Sequence, residues 1–268
     1  MIVDLHSHSY YSDGTLSPKS LIELAEQKGV EIFSITDHDN VDAYHEIKTI
    51  QTKLTIIPGI EFSTSWNKIG VHIVGLNVDT QSEFLLRAIE YQKNTRLKRA
   101  ELIAKKLEKY GLFGAIEKIT KKVNINQIGR PNFANLMIEE GIAKDWNHAF
   151  KKYLGAGKVG DVKNGWLDFK QVLAAIISSG GIPVLAHPLY YKLTNSKLKR
   201  LIQDFISNGG EAMEVINGFQ NPQKTNYLKE LCLSFDLKAS LGSDFHSPSK
   251  WNKLGCHTNL VSGLKTVW

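Results

Sequence analysis

The 268-residue chain has few cysteines, few prolines and no long apolar run. Its two cysteines, Cys232 and Cys256, are too few for a disulfide framework or a cysteine-based zinc site. No apolar stretch approaches the roughly 18 residues of a membrane helix, and the N-terminus lacks the basic and apolar segments of a signal peptide. We therefore expect a reduced, cytoplasmic protein in which any metal chemistry depends on histidine, aspartate and glutamate.

The excess of basic residues is confined to about one third of the chain. The whole chain has 33 Lys and Arg against 27 Asp and Glu, a net charge of +6. Residues 83–163 alone contain 17 basic and 9 acidic residues, a balance of +8, and the remainder has a balance of −2. A local excess of this size favours anionic partners such as phosphates or nucleic acid, although a solvated, lysine-rich helix face would explain it equally well.

Strands and helices alternate in the first 80 residues and again after residue 168. This order and spacing are typical of parallel βα units, with one of the helices expected from about Val41 to Lys53. Between the two regions the pattern changes to a long helix, from residue 83 to about residue 109, and then to short basic helices. We expect an α/β fold built from residues 1–82 and 164–268, with a basic helical insertion over residues 83–163.

Titratable side chains follow the predicted strands at their C-terminal ends, which form the active face of a βα barrel. The first two, His6 and His8, are two residues apart, so on an extended strand both rings point to the same side and can bind one metal ion. Asp13 follows in a tight turn. His72 is the weakest member, because a histidine within a strand is often a satisfied core residue. The complete set is His6, His8, Asp13, His38, Glu61, His72, His187, Asp244 and His246.

Six imidazoles and three carboxylates are more ligands than a single ion uses. Three ions that share these nine residues, with Glu61 as a bridge, are a natural partition. Ligands of this kind, without sulfur, suit Mn²⁺, Zn²⁺ or Fe²⁺. Clustered divalent ions imply hydrolysis by a metal-bridging hydroxide, and a third ion opposite the phosphate oxygens favours phosphate esters over peptides.

Several of these segments resemble the successive motifs of the PHP family (polymerase and histidinol phosphatase). They are Asp4-Leu5-His6-Ser7-His8, Ser12-Asp13-Gly14, Thr36-Asp37-His38-Asp39, Gly59-Ile60-Glu61-Phe62-Ser63, Ala186-His187-Pro188 and Gly242-Ser243-Asp244-Phe245-His246. The resemblance implies a distorted seven-stranded (β/α) barrel with a trinuclear metal centre, for which we expect manganese, with iron or zinc as alternatives.

The same resemblance assigns the nine ligands to three ions. The first ion would be held by His6, His8, Glu61 and Asp244, the second by Glu61, His72 and His187, and the third by Asp13, His38 and His246. Asp39 either supports a metal ligand or handles a proton, or it is the N-cap of the following helix. Asp39, His187 or a metal-bound water would protonate the leaving oxygen.

The insertion is similar to that of PHP phosphoesterases acting on nucleotides, namely 3′,5′-nucleoside bisphosphate phosphatases and 5′→3′ exoribonucleases. The similarity lies in a basic helix followed by Ile128-Gly129-Arg130-Pro131-Asn132-Phe133-Ala134 and Phe150-Lys151-Lys152-Tyr153-Leu154-Gly155. The chain departs from these relatives at Lys158-Val159-Gly160-Asp161-Val162, where they typically carry Pro-Ala-Tyr-Val. In that branch Arg130 would bind a substrate phosphate through its planar guanidinium, and Arg99 and Lys158 are further phosphate-binding candidates. The alternative for Arg130 is a surface arginine at the start of a helix.

We therefore predict a metal-dependent phosphoesterase that acts on a small nucleotide or a short 5′-phosphorylated oligonucleotide. A histidinol-phosphate phosphatase is one alternative, but its small substrate would not need a broad basic insertion. A non-catalytic, metal-bound PHP binding module is another, but such modules typically lose metal ligands, and all nine are present here. The sequence predicts no membrane partner and leaves the oligomeric state open.

Overall fold

Two compact units make up the computed structural model, which describes residues 1–123, 127–162, 165–249 and 253–268. The first unit contains Met1–Ile89 and Leu167–Trp268, and the second contains Glu90–Trp166. The expected boundary between residues 163 and 164 lies outside the described residues. That the insertion acts as a separate substrate-binding domain stays a prediction.

The first unit is an α/β structure with two mixed sheets. Its strands are β1 (Ile2–Asp4), β2 (Ile32–Phe33), β3 (Thr55–Ile56), β4 (Gly59–Trp66), β5 (Ile69–Leu76), β6 (Ile182–Leu185), β7 (Ala212–Asn217), β8 (Lys238–Gly242) and β9 (Cys256–His257). One sheet has the order β3-β2-β1-β9 and the other the order β4-β5-β6-β7-β8. The α/β class is thus confirmed. The closed seven-stranded barrel is not, because the strands of the described residues are divided between these two sheets.

The parallel strand pairs and two isolated bridges place the site. Strands β1, β2 and β3 are parallel, as are β6, β7 and β8. Beyond the strand ends, isolated bridges pair Ser7 with Phe245 and His38 with Glu61. The Thr36 amide also donates to the Ser7 carbonyl at 2.8 Å, so the segments that follow β1, β2 and β8 are tied to one another and to the start of β4.

A hairpin of β4 and β5 departs from the parallel units that the sequence predicted. The two strands pair antiparallel, with Ser63 opposite His72. Asn67 and Lys68 at the turn have φ of 47° and 64°, as a two-residue type I′ turn requires. The pair lacks the glycine that normally signals such a turn. Because Glu61 and Ser63 share a face of β4, the hairpin makes His72 a diagonal neighbour of Glu61.

The helices surround these sheets or form the second unit. They are α1 (Pro18–Gln27), α2 (Ala43–Ile47), α3 (Glu83–Leu107), α4 (Ala115–Thr120), α5 (Arg130–Glu139), α6 (Trp146–Ala149), α7 (Phe169–Ser178), α8 (Asn195–Ser207) and α9 (Pro222–Ser234). Serine and aspartate caps begin several of them, as at α1, where the Ser20 amide donates to Ser17 Oγ at 3.0 Å. Helix α2 is shorter than expected, and it begins after Asp42, so Asp39 is not its N-cap.

Each unit has its own apolar core. In the first unit Phe62, Ile176 and Phe205 are fully buried in the largest cluster. In the second unit Leu107 and Phe133 belong to a separate cluster. No helix in the described ranges is both long enough and apolar enough to cross a membrane.

Candidate metal centre

Glu61, on β4, lies at the centre of the predicted site and is fully buried. Five imidazole nitrogens surround its carboxylate: His72 Nδ1 at 2.9 Å and His187 Nε2 at 3.0 Å from Oε1, and His38 Nδ1 at 2.8 Å, His6 Nε2 at 3.4 Å and His8 Nε2 at 3.4 Å from Oε2. Oε2 accepts no hydrogen bond from a described residue although three of these nitrogens face it. Nitrogens that face an oxygen without donating to it are positioned as they would be if they and the oxygen bound the same cation.

The first predicted group of ligands is brought together after β1 and β8. His6 Nε2 lies 3.1 Å from His8 Nε2, and Asp244 Oδ1 lies 3.5 Å from the first and 3.2 Å from the second of these nitrogens. Ions that bind nitrogen and oxygen at about 2.0–2.2 Å separate neighbouring ligand atoms by roughly 3.0–3.5 Å. One ligand atom of each of His6, His8 and Glu61 lies within 4.8 Å of the other two. The donor set and its spacing therefore fit a divalent ion.

The third predicted group is also assembled, with one additional member. Asp13 Oδ1 lies 3.2 Å from His246 Nε2, and Asp13 Oδ2 lies 3.8 Å from His38 Nε2. His8 Nδ1 approaches the same carboxylate at 3.8 Å. The two ring nitrogens of His8 thus face two different ligand groups, the first and the third. The spacing of residues along the chain does not reveal this double contact.

The second predicted group forms around the other oxygen of Glu61. His72 and His187 both contact Oε1, and their rings lie edge to face at a centroid distance of 5.1 Å. The His72 side chain is 33% exposed, as is that of His246. The cluster is therefore open to solvent on the side of these two residues, which gives a substrate access to it.

Three residues of this site have a strained backbone. Asp39, His187 and Asp244 have positive φ values of 50°, 27° and 53°. Non-glycine residues in that region cost about 1–3 kcal/mol each and persist where their surroundings impose the conformation. At Asp244 the backbone amide donates to the His6 carbonyl at 2.9 Å, which fixes the carboxylate beside the first group.

The charges of the cluster depend on each other. Burial raises the pKa of Glu61, but the nearby rings of His38, His6 and His72 outweigh burial and hold that pKa well below its usual range. Burial lowers the pKa of His246, but the hydrogen bond with Asp13 and its charge raise it to about 9. Burial and the neighbouring His246 lower the pKa of His8 to about 3. Without metal, the site therefore holds ionised carboxylates, a protonated His246 and a neutral His8.

Asp39 contacts the strand that carries Glu61. Its amide donates to the Glu61 carbonyl at 2.9 Å, and its Oδ1 accepts a hydrogen bond from the Ser63 amide at 2.9 Å. These two bonds align the start of β4 with the loop after β2. The catalytic role of Asp39 stays a prediction.

Three buried carboxylates near the site were not singled out in the sequence. Asp37 accepts from the Ser9 amide at 2.7 Å and from Ser12 Oγ at 2.6 Å, and Asp4 accepts from the Ser243 amide at 2.9 Å. Burial raises the pKa of both to about 6. The third, Glu214, is the one charged residue of β7, within Ala-Met-Glu-Val-Ile-Asn. An isolated glutamate in an apolar strand is the sequence signal that could have identified it as part of the site.

The predicted phosphate-binding residues all belong to the second unit. Arg130 is the first residue of α5, and its Nη1 donates to the Leu154 carbonyl at 3.2 Å and lies 3.8 Å from Asp161 Oδ1. Arg99 Nε donates to the Val162 carbonyl at 3.0 Å. The guanidinium of Arg99 also lies over the Trp166 ring, 5.6 Å from its centroid. Lys158 lies in an exposed turn. Their role in phosphate binding stays a prediction.

This α/β fold gathers nine histidine and carboxylate side chains, seven of them beyond strand ends and two, Glu61 and His72, on the hairpin strands β4 and β5. Such a site defines a metal-dependent hydrolase of the mixed-ligand type. Residues 4–163 match the family model described as the PHP domain. The chain therefore belongs to the PHP family, as its motifs predicted.

Relatives match over nearly the full length of the chain. The 5′-3′ exoribonuclease Rnm of Escherichia coli is 40% identical, over 100% of this chain and 93% of its own length. The 3′,5′-nucleoside bisphosphate phosphatase of Chromobacterium violaceum is 32% identical, over 99% and 95%. A solved structure, described as an amidohydrolase from Chromobacterium violaceum with bound sulfate and no metal, is 31% identical with a TM-score of 0.89, over 99% of this chain and 94% of that one.

Proposed function

We propose that this protein is a metal-dependent phosphoesterase that hydrolyses phosphate esters of nucleotides or of short 5′-phosphorylated oligonucleotides. The observation that carries the proposal is the convergence of five imidazoles on the buried Glu61 carboxylate, flanked by Asp13, Asp244 and His246. The relatives named as exoribonucleases, at 38–40% identity, and as a nucleoside bisphosphate phosphatase support the substrate class.

The metal centre is proposed to hold three divalent ions, with manganese as the native metal, and the two mixed sheets to correspond to the distorted seven-stranded barrel. Glu61 is shared by the first two ions, while Asp13, His38 and His246 hold the third. When bound, such ions supply an activated water at neutral pH and positive charge opposite the phosphate oxygens. Cys232 and Cys256 are both free and buried, which suits the reducing cytoplasm as the proposed compartment.

Substrate phosphate is proposed to bind the basic unit, with Arg130 as the main contact and with Arg99 and Lys158 as further contacts. A guanidinium presents two parallel donors to phosphate oxygens. Arg130 is suited to this because its side chain is one third exposed, at 34%. Its bond to the Leu154 carbonyl holds one of its nitrogens in place.

Asp39 and His187 are the residues proposed to donate a proton to the leaving oxygen. His187 is the better suited of the two. Its Nε2 faces Glu61 Oε1, while its buried Nδ1 has no hydrogen-bond partner among the described residues. Nδ1 is therefore a position at which this side chain can hold a proton.

The test is hydrolysis of two substrates side by side with added Mn²⁺: adenosine 3′,5′-bisphosphate and a 5′-phosphorylated RNA pentamer. Release of mononucleotides from the pentamer identifies a 5′→3′ exonuclease, and release of the 3′-phosphate alone identifies a nucleotide phosphatase. His6→Ala is expected to abolish turnover, whereas the exposed His45→Ala serves as the matched control. Turnover of neither substrate by a protein that demonstrably binds metal would contradict the proposal.

A further inference from the structure

Glu214, in the middle of β7, is buried with 1% exposure and contacts two predicted metal ligands with its two oxygens. Oε1 lies 2.5 Å from His6 Nδ1. Oε2 accepts hydrogen bonds from the His187 amide at 2.6 Å and from Asn217 Nδ2 at 3.0 Å. The two oxygens therefore contact different ligands, Oε1 the ring of His6 and Oε2 the backbone of His187. Neither contacts a ring nitrogen that faces Glu61.

The contact at Oε1 decides which nitrogen of His6 can bind a metal ion. A carboxylate can only accept a hydrogen bond, so Nδ1 carries the proton and the lone pair is left on Nε2. Nε2 is the nitrogen that faces His8 Nε2 and Glu61 Oε2. Partners of this kind orient ligating histidines and make them more basic.

The contact at Oε2 acts on the backbone of a second ligand. His187 has a φ of 27°, a strained value for a residue with a side chain. A charge-assisted hydrogen bond from its amide to a buried carboxylate is among the stronger bonds that can hold such a conformation. Asn217, from the end of the same strand as Glu214, fixes the orientation of the carboxylate.

We propose that Glu214 is a positioning residue that couples the first two metal-binding groups, by fixing the tautomer of His6 with one oxygen and the backbone of His187 with the other. This inference rests on the proposed metal centre. The third group, formed by Asp13, His38 and His246, is expected to be affected least, because the two ligands that Glu214 contacts, His6 and His187, belong to the first two groups.

Glu214→Gln tests the coupling because it keeps the shape of the side chain. If the amide oxygen accepts from His187 and Asn217, the amide nitrogen must donate to His6 Nδ1, which moves the His6 proton to Nε2. In the reverse orientation the amide nitrogen faces two donors. In either orientation the substitution disturbs His6 or His187, while the packing around residue 214 is kept. Glu211→Gln, an exposed position just before the same strand, is the matched control.

The measurement is Mn²⁺ binding by equilibrium dialysis with metal counting, and separately the Mn²⁺ concentration that gives half-maximal hydrolysis. We expect Glu214→Gln to weaken Mn²⁺ binding at two of three sites by about 10- to 100-fold. We expect the third site and the Glu211→Gln control to be unchanged. The folded content and thermal transition of the metal-free variants are compared by circular dichroism, because a purely structural role would lower that transition and leave the Mn²⁺ affinities as they are.

Wild-type affinity and stoichiometry in Glu214→Gln would overturn the inference and leave the proposed function intact. If the wild-type protein binds Mn²⁺ but hydrolyses neither nucleotide substrate, the proposed function fails, while weaker Mn²⁺ binding by Glu214→Gln would still support the inference. A wild-type protein that binds no divalent ion would contradict both.

Discussion

The two units of the molecule differ in which charged groups they contain and in what those groups contact. The first unit has 17 basic and 19 acidic residues, a balance of −2, and contains all nine predicted metal ligands. The second has 16 basic and 8 acidic residues, a balance of +8, and contains Arg99, Arg130 and Lys158. Groups suited to cations and groups suited to anions are thus separated along the chain, so each can be altered without changing the other.

The two units also differ in how deeply their charged side chains are buried. In the first unit, several titratable side chains are buried and converge on one another, as around Glu61. In the second unit most charges are at the surface, in pairs such as Lys122 with Glu139 at 2.7 Å. Exposed pairs contribute only about 0–1 kcal/mol each. Substitutions in the basic unit are therefore expected to change binding more than folding, whereas substitutions in the metal cluster affect both metal binding and the fold around it.

The largest effect is expected from Glu61→Ala, which removes the carboxylate shared by five histidines. We predict a loss of kcat of about 1,000-fold or more, because the ions it helps to hold supply several kcal/mol of transition-state stabilisation. Steady-state hydrolysis of the RNA pentamer measures it, with His45→Ala as the control. Activity near the wild-type level in Glu61→Ala would show that the metal ligands of the first unit take no part in hydrolysis.

Arg130→Ala is predicted to raise KM by about 10- to 100-fold with little change in kcat, the loss expected for a charge-assisted phosphate contact. Arg130→Lys should recover part of it, because the charge is kept but the planar pair of donors is lost. Lys121→Ala, an exposed position paired with Glu117, controls for net charge. An equal loss in kcat with an unchanged KM would place Arg130 in the chemical step instead.

Metal binding is predicted to strengthen with pH in the group that contains Asp13. The carboxylate of Asp13 raises the pKa of His246 to about 9 from its usual 6.5. Since a histidine must release its proton before it can bind a metal ion, affinity should rise by up to roughly tenfold per pH unit below that value and level off above it. Mn²⁺ titrations at several pH values check this, and an affinity that is flat across the range would show that His246 is not a ligand.

The smallest effect is expected from salt. Displacement of counterions from a single-stranded substrate predicts a several-fold rise in KM for the RNA pentamer between about 50 and 200 mM salt. The rise should be smaller for adenosine 3′,5′-bisphosphate, which has fewer phosphates to contact a basic surface. Equal salt dependence for both substrates would indicate that the basic unit does not follow the oligonucleotide backbone.

Much of the site could be predicted because most of its residues follow strand ends, and the alternation of strands and helices predicts that such ends converge. The two-residue spacing of His6 and His8, and of Asp244 and His246, can be read directly from the sequence. The hairpin of β4 and β5 was missed because Asn67-Lys68 adopts positive φ without glycine. Glu214 was missed because its partners His6 and His187 lie far away in the sequence, and no local pattern shows that a buried glutamate pairs with both.

The central claim is that the first unit holds three divalent ions around Glu61, and the most direct measurement is the number of ions bound per chain. Wild-type protein and Glu61→Ala are loaded with Mn²⁺, freed of excess metal and analysed by mass spectrometry of the metal. We predict three ions in the wild-type protein. We predict one in the variant, retained by Asp13, His38 and His246. A wild-type protein without tightly bound ions, or a variant with the same number as the wild type, would contradict the claim.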